Sequence, residues 1–166
     1  MKKLAEFWVD QMEERGVVLK LYPLLGITDS ILRDEKSCLM RCGGGWINYA
    51  IQTDGYIIPC PTMWGMKKYY LGHISNADPL TLSKIFVDQS PCLNCSILNI
   101  CGGRCLYTNI TKRWNDEAYS KVCNTVAELV ESVKEQIPRI QRLLADEKIS
   151  FRDFDFMKYN GCEIIP

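Results

Sequence analysis

Leu4, Phe7, Trp8 and Met12 recur at three- and four-residue steps, the spacing of one apolar face on an amphipathic helix. Gly16 supplies a C-terminal stop for it. Val17-Val18-Leu19-Lys20-Leu21-Tyr22 follows, a largely apolar run closed by Pro23, and is predicted to be a buried strand. A helix feeding such a strand is an α/β unit, whose strand needs neighbours on both sides and cover on both faces. Only one such unit is visible, so the chain is expected to begin partway through a larger α/β fold.

The pattern then turns polar over residues 28–37, predicted as a helical turn opened by Thr28 or Asp29. Two apolar runs, Trp46-Ile47-Asn48-Tyr49-Ala50-Ile51 and Tyr56-Ile57-Ile58, flank Asp54-Gly55, a strong β-hairpin signal because both turn residues accept positive φ. Asp78-Pro79 predicts a short helix through Leu80, Leu82, Ile85 and Phe86. A long helix is expected over about 116–137, with Val122, Val126, Leu129, Val130, Val133 and Ile137 on one face. Pro138 should break or kink it, with Ile140 and Leu144 continuing beyond. Asn160-Gly161 before Glu163-Ile164-Ile165 suggests a terminal hairpin.

Length and charge narrow the function classes. The 166 residues suit about one domain. Lys plus Arg and Asp plus Glu stand at 20 each, so no global field recruits nucleic acid or an anionic membrane. Lys67-Lys68-Tyr69-Tyr70 mixes basic and aromatic residues but reads as a solvated loop. Glu6, Asp10, Glu13 and Glu14 interrupt any signal-peptide core after Met1-Lys2-Lys3, and no run approaches a membrane span. A cytoplasmic, reducing setting is therefore expected, and nine cysteines, an odd number, argue against a disulfide framework.

The cysteines carry the chemistry. Cys42, Gly55 and Cys60 form C-x12-G-x4-C; Cys92, Cys95, Cys101 and Cys105 form C-x2-C-x5-C-x3-C; Cys123 stands alone further on. Thiolates at such spacing converge on metal, and one tetrahedral site needs only four, so seven or eight ligands imply two sites. Gly102-Gly103 lets backbone N–H groups approach a cluster and donate to its sulfurs. The four clustered cysteines suit one shared site, or an interleaved arrangement in which the last thiol serves the other site; spacing admits both. Zinc ribbons usually join two short-spaced pairs across a longer linker, so the residues favour iron–sulfur over zinc.

The whole spacing resembles the SPASM domain, the C-terminal auxiliary-cluster region of radical S-adenosylmethionine enzymes that modify peptides and proteins. The likeness runs from about Cys38 to the helix after Cys123. It implies two 4Fe–4S clusters with crossed ligation: Cys42, Cys60 and Cys105 on the first, with Cys38 as its fourth ligand, and Cys92, Cys95, Cys101 and Cys123 on the second. If Cys38 does not bind, one iron of the first cluster stays open to a substrate. The resemblance further implies an α+β fold: a small cysteine-rich metal-cluster domain with a β-hairpin and a long C-terminal helix, preceded by one α/β unit from a truncated partial (β/α)6 barrel. Residues 1–37 would end that barrel, 38–137 would form the twin-cluster domain, and 138–166 a C-terminal helix and tail.

The family's radical-generating motif, C-x3-C-x2-C, is absent: Cys38 and Cys42 fit its first two positions, but residue 45 is glycine. The chain alone is expected to be inactive, with S-adenosylmethionine held only in the missing N-terminal barrel. Implied partners are a peptide or protein substrate, that barrel, and a reductase or a ferredoxin or flavodoxin donor, but no nucleic acid or membrane. The competing expectation is a zinc-stabilised interaction module without redox role. Cys162 fits no spacing and is expected to be a packed or free thiol, His73 a structural histidine, and Met40, Met63 and Met66 packing residues. Arg41 and Arg104 each neighbour a proposed ligand and are candidates for stabilising cluster charge.

Overall fold

The computed structural model describes residues 1–34, 40–85, 91–112 and 115–158. Among these the fold is α+β, combining helices with a small three-stranded antiparallel sheet. The first helix, α1 (Lys2–Arg15), forms where the periodicity predicts. It buries Ala5, Trp8, Val9 and Met12, and Gly16 closes it in the left-handed conformation, donating to the Met12 carbonyl. Leu4 and Phe7, counted in the apolar pattern, are exposed.

The predicted strand over residues 17–22 does not form. Residues 17–21 are irregular, and among the described residues no partner strand lies beside them. Their backbone groups are used locally instead. The Leu19 carbonyl accepts from the Trp8 indole at 2.8 Å and from the Leu21 amide at 2.8 Å, the latter a tight turn that bends the chain. Val18 is buried, but Val17 and Leu21 are 47% and 36% exposed. Pro23 does not end a strand; it sits in the first turn of α2 (Tyr22–Leu32), where its missing N–H costs nothing. Thr28 and Asp29, expected to open a helix, therefore lie inside one. Asp29 is buried and ion-paired to both Arg33 and Lys158.

The hairpin is present but shorter than predicted: β1 (Ala50–Ile51) pairs antiparallel with β2 (Tyr56–Ile58) across Asp54-Gly55. Residues 46–49 are turns and bridges, because the amides of Trp46, Ile47 and Asn48 all donate to the Gly43 carbonyl. A third strand, β3 (Gly72–His73), joins β2 on its other side and had no signal in the sequence. Asp78-Pro79 opens no helix. The Asp78 carboxylate accepts from the Leu80 amide at 2.9 Å, closing a side-chain turn, and residues 82–85 stay irregular. Phe86 lies outside the described residues, as does the expected hairpin at 160–165.

Two short helices follow, α3 (Leu98–Cys101) and α4 (Leu106–Thr111), and then the long helix, α5 (Asp116–Lys134). Asn115 caps α5 by accepting from the Ala118 amide at 2.8 Å. The chain breaks at residues 135–136, and Pro138 lies in the first turn of α6 (Ile137–Ala145), so the proline starts a helix rather than kinking one. One core joins α1, α2, α5 and α6 through Trp8, Met12, Leu25, Ile27, Val130 and Ile140. Phe154 completes it, edge-on to Trp8 with ring centres 6.2 Å apart. A smaller core of Met40, Met63, Cys92 and Leu106 lies under the cysteine segments. Among the described residues, no helix is long and apolar enough to cross a membrane.

Candidate metal centre

Three segments deliver four thiols to one cavity. Cys92 and Cys95 flank a single 3-10 turn, Cys92–Asn94, closed by the Cys95 amide on the Cys92 carbonyl at 2.9 Å. Cys101 ends α3, and Cys123 lies on α5, one helical turn after Tyr119. All four line a cavity of about 490 Å³, with Arg104 and Tyr119 also in its wall. These are the four residues assigned above to the second cluster.

The cavity wall is chemically suited to thiolates held by a cation. Burial is the main influence that pushes the Cys101 thiol up to about 11; the Gly103 amide donates to its sulfur and opposes that rise. Ionised Cys92 and Cys123 push it up further, while Arg104 pulls it down. Burial, then Cys92, likewise raises Cys123, again opposed by Arg104. Burial thus favours the protonated form of the Cys101 and Cys123 thiols where no compensating charge is present, and a bound metal would displace those protons. The run Gly102, Gly103, Arg104 has positive φ at all three residues, and it turns the chain from Cys101 back towards Cys105. Two glycines meet that demand without cost, but Arg104 adopts it with a full side chain, 7% exposed.

Cys42 and Cys60 are not in that cavity's wall; they flank the smaller core, of which Cys92 is also a member. Gly44 lies between them: a methyl group added there would stand 3.4 Å from Cys42 Sγ and 4.0 Å from Cys60 Cβ. The Gly44 amide points at Cys42 Sγ from 3.4 Å, and the Gly45 amide donates to the Pro59 carbonyl at 3.0 Å, fastening the loop to the end of the hairpin. Both thiols pack on the smaller core beside Leu106. Cys105 precedes Leu106 at the N-terminus of α4, which brings it to the same part of the fold. Cys38 and Cys162 lie outside the described residues.

Of the arginines, Arg41 is buried and gives its guanidinium to backbone. Nε donates to the Ile100 carbonyl at 2.7 Å and Nη2 to that of Asn99. The residue before Cys42 thus clamps the helix that ends in Cys101. Arg104, in contrast, bears electrostatically on Cys101 and Cys123. His73 takes the expected structural role. Nε2 donates to the Asp54 carbonyl at 2.9 Å, and Nδ1, then the unprotonated nitrogen, accepts from Ser75 Oγ at 2.8 Å. Met40 and Met63 are fully buried packing residues, and Met66 packs beside them.

Asn109 and Tyr119 were not anticipated from the sequence. Asn109 Nδ2 lies 3.2 Å from Cys92 Sγ, and the Tyr119 hydroxyl lies 3.6 Å from it. A signal existed: Asn109 follows Cys105 by four residues and Tyr119 precedes Cys123 by four, each sharing a helix face with a predicted ligand.

Among the described residues, no three His, Cys, Asp or Glu side chains converge as closely as a single ion requires. Zinc–thiolate bonds of ~2.3 Å would put tetrahedral sulfurs ~3.8 Å apart. A polynuclear cluster spreads its thiolates further than a single ion does, and it takes the same donor type that lines this cavity. No family model, no curated protein and no solved structure matches the chain.

Proposed function

We propose that the chain is the auxiliary 4Fe–4S cluster-binding region of a radical S-adenosylmethionine enzyme that modifies ribosomally made peptides or proteins. One observation carries the reading. Cys123, distant in sequence from the clustered Cys92, Cys95 and Cys101, joins them in the wall of one cavity, whereas Cys42 and Cys60 flank Gly44. That partition is the one the spacing resemblance implies. On this reading Cys92, Cys95, Cys101 and Cys123 hold one cluster, and Cys42, Cys60 and Cys105, with Cys38, hold the other. When bound, such clusters supply one-electron transfer at potentials set by burial and by hydrogen bonds to sulfur.

The residues of this chain shape that environment. Gly103 donates to Cys101, Arg104 offsets thiolate charge, and Arg41 fixes the segment carrying Cys42 against the end of α3. The region would serve electron transfer and substrate engagement, with the peptide substrate and a reductase, ferredoxin or flavodoxin as partners in the cytoplasm. S-adenosylmethionine would be bound by a barrel outside these 166 residues, since C-x3-C-x2-C is lacking.

Anaerobically prepared or reconstituted protein should be brown and hold about eight irons and eight sulfides per chain, four of each per site. Cys123→Ser should lower the iron content to about four per chain and leave the other site filled. A colourless protein with stoichiometric zinc that unfolds on chelation would instead establish the zinc-stabilised interaction module.

A further inference from the structure

Asn109 lies inside α4 at 3% exposure, where its side-chain amide has three acceptors within reach. They are Cys92 Sγ at 3.2 Å, the Gly103 carbonyl oxygen at 3.1 Å and the Tyr119 hydroxyl oxygen at 3.1 Å. The Gly103 carbonyl can only accept, so the nitrogen end of the amide must face it. The amide's two hydrogens serve the Gly103 carbonyl and Cys92 Sγ, and the Tyr119 hydroxyl, 5% exposed, keeps its own hydrogen for Cys92 Sγ, 3.6 Å away. Lys112 Nζ stands over the Tyr119 ring, 4.0 Å from its centre.

Two buried donors on one sulfur fit a thiolate better than a thiol. A neutral thiol is a weak acceptor, whereas hydrogen bonds to an ionised group are roughly twice as strong as neutral ones. We infer that Asn109 and Tyr119 are positioning residues that donate jointly to the Cys92 thiolate and raise the reduction potential of the cluster this thiolate holds. The inference rests on the cluster reading above. Its physical basis is charge: a donor withdraws electron density from sulfur and stabilises the reduced, more negative state.

The test uses the parent protein, Asn109→Leu, Tyr119→Phe and the double variant, all reconstituted anaerobically. Iron is assayed, and both clusters are titrated potentiometrically with detection by electron paramagnetic resonance. Each single variant should keep its iron and shift one midpoint potential negative, by about tenfold in the reduction equilibrium for Asn109→Leu, or ~59 mV for one electron. The other cluster's potential should not move. The double variant should shift by less than the sum of the two, because both donors serve one sulfur. Iron-loaded variants that titrate like the parent would overturn the inference and leave the cluster reading standing. Should Asn109→Leu fail to load, Tyr119→Phe, which removes a single oxygen, decides alone. Loss of iron in both also overturns the inference, since the pair would then build the site and not tune it. A parent that takes up no iron removes the cluster reading itself, and the iron assay on the parent alone tells that outcome apart.

Discussion

The imidazole of His73 fills the space where a side chain at Gly55 would begin: an added methyl would lie 2.4 Å from Nε2. Gly55 also has φ of +89°, a backbone state that other residues reach only with strain. The glycine between Cys42 and Cys60 in the spacing pattern is therefore demanded twice, by the turn and by the ring packed on it. His73 in turn pairs opposite Tyr56 in the sheet and donates to Asp54, so the ring locks the hairpin that leads to Cys60.

Gly55→Ala should accordingly cost about 2 kcal/mol or more, combining backbone strain of ~1–3 kcal/mol with loss of the histidine bond. Urea unfolding of Gly55→Ala, His73→Ala and the double variant checks this. Removing the ring relieves the steric part, so the double variant should be less destabilised than the sum of the singles. Strict additivity would show that the imidazole does not limit residue 55.

Arg41 gives a second expectation. Replacing it with Met removes both bonds to the Asn99 and Ile100 carbonyls and leaves two acceptors short of a donor. Bonds to a charged group contribute ~1.5–3 kcal/mol each in favourable cases, so Arg41→Met should destabilise the protein by about 3 kcal/mol. Arg41→Lys should recover only part of this, since an ammonium cannot match the planar fork spanning adjacent carbonyls. A loss under ~0.5 kcal/mol for Arg41→Met, in the range of ordinary surface substitutions, would mean that the clamp carries no weight.

A third expectation concerns pH. Arg139 of α6 reaches α1, bonding Glu13 at 2.5 Å and Asp10 at 2.8 Å by the nearest contact of each. The Arg139 hydrogen bond holds the Glu13 carboxyl below the ordinary value of 4.5, against the opposing effect of burial. A depressed carboxyl stabilises the fold above its unfolded value and ceases to do so as pH falls through its folded value. The difference in Tm between the parent and Glu13→Gln should therefore be largest near neutrality and shrink away as pH falls through the depressed folded value. A difference that persists unchanged in acid would assign the effect to packing.

What the sequence disclosed depended on the range of the interaction involved. Helices α1 and α5 were legible because each buries one face over several turns, and Asp54-Gly55 located its hairpin because turn chemistry is local. The grouping of Cys92, Cys95, Cys101 and Cys123 was legible only through the resemblance, as the spacing itself admitted two partitions. Residues 17–22 misled because an apolar run reads alike as a strand or as a packed connection, and the choice fell to the Trp8 indole and the Leu19 turn. Asp78-Pro79 misled because the same pair that caps a helix also closes a turn when no buried face follows. β3 pairs only two residues with β2, too few to leave a pattern.

Only Gly102, Gly103 and Arg104 separate Cys101 from Cys105, so at full stretch the two Cα atoms can stand no more than ~14 Å apart. One of these cysteines faces the cavity, and the other opens the helix leading into the smaller core. That short tether acts as a mechanical yoke. Lengthening it by a residue would misalign both ends together, and a pull at either end is felt at once at the other.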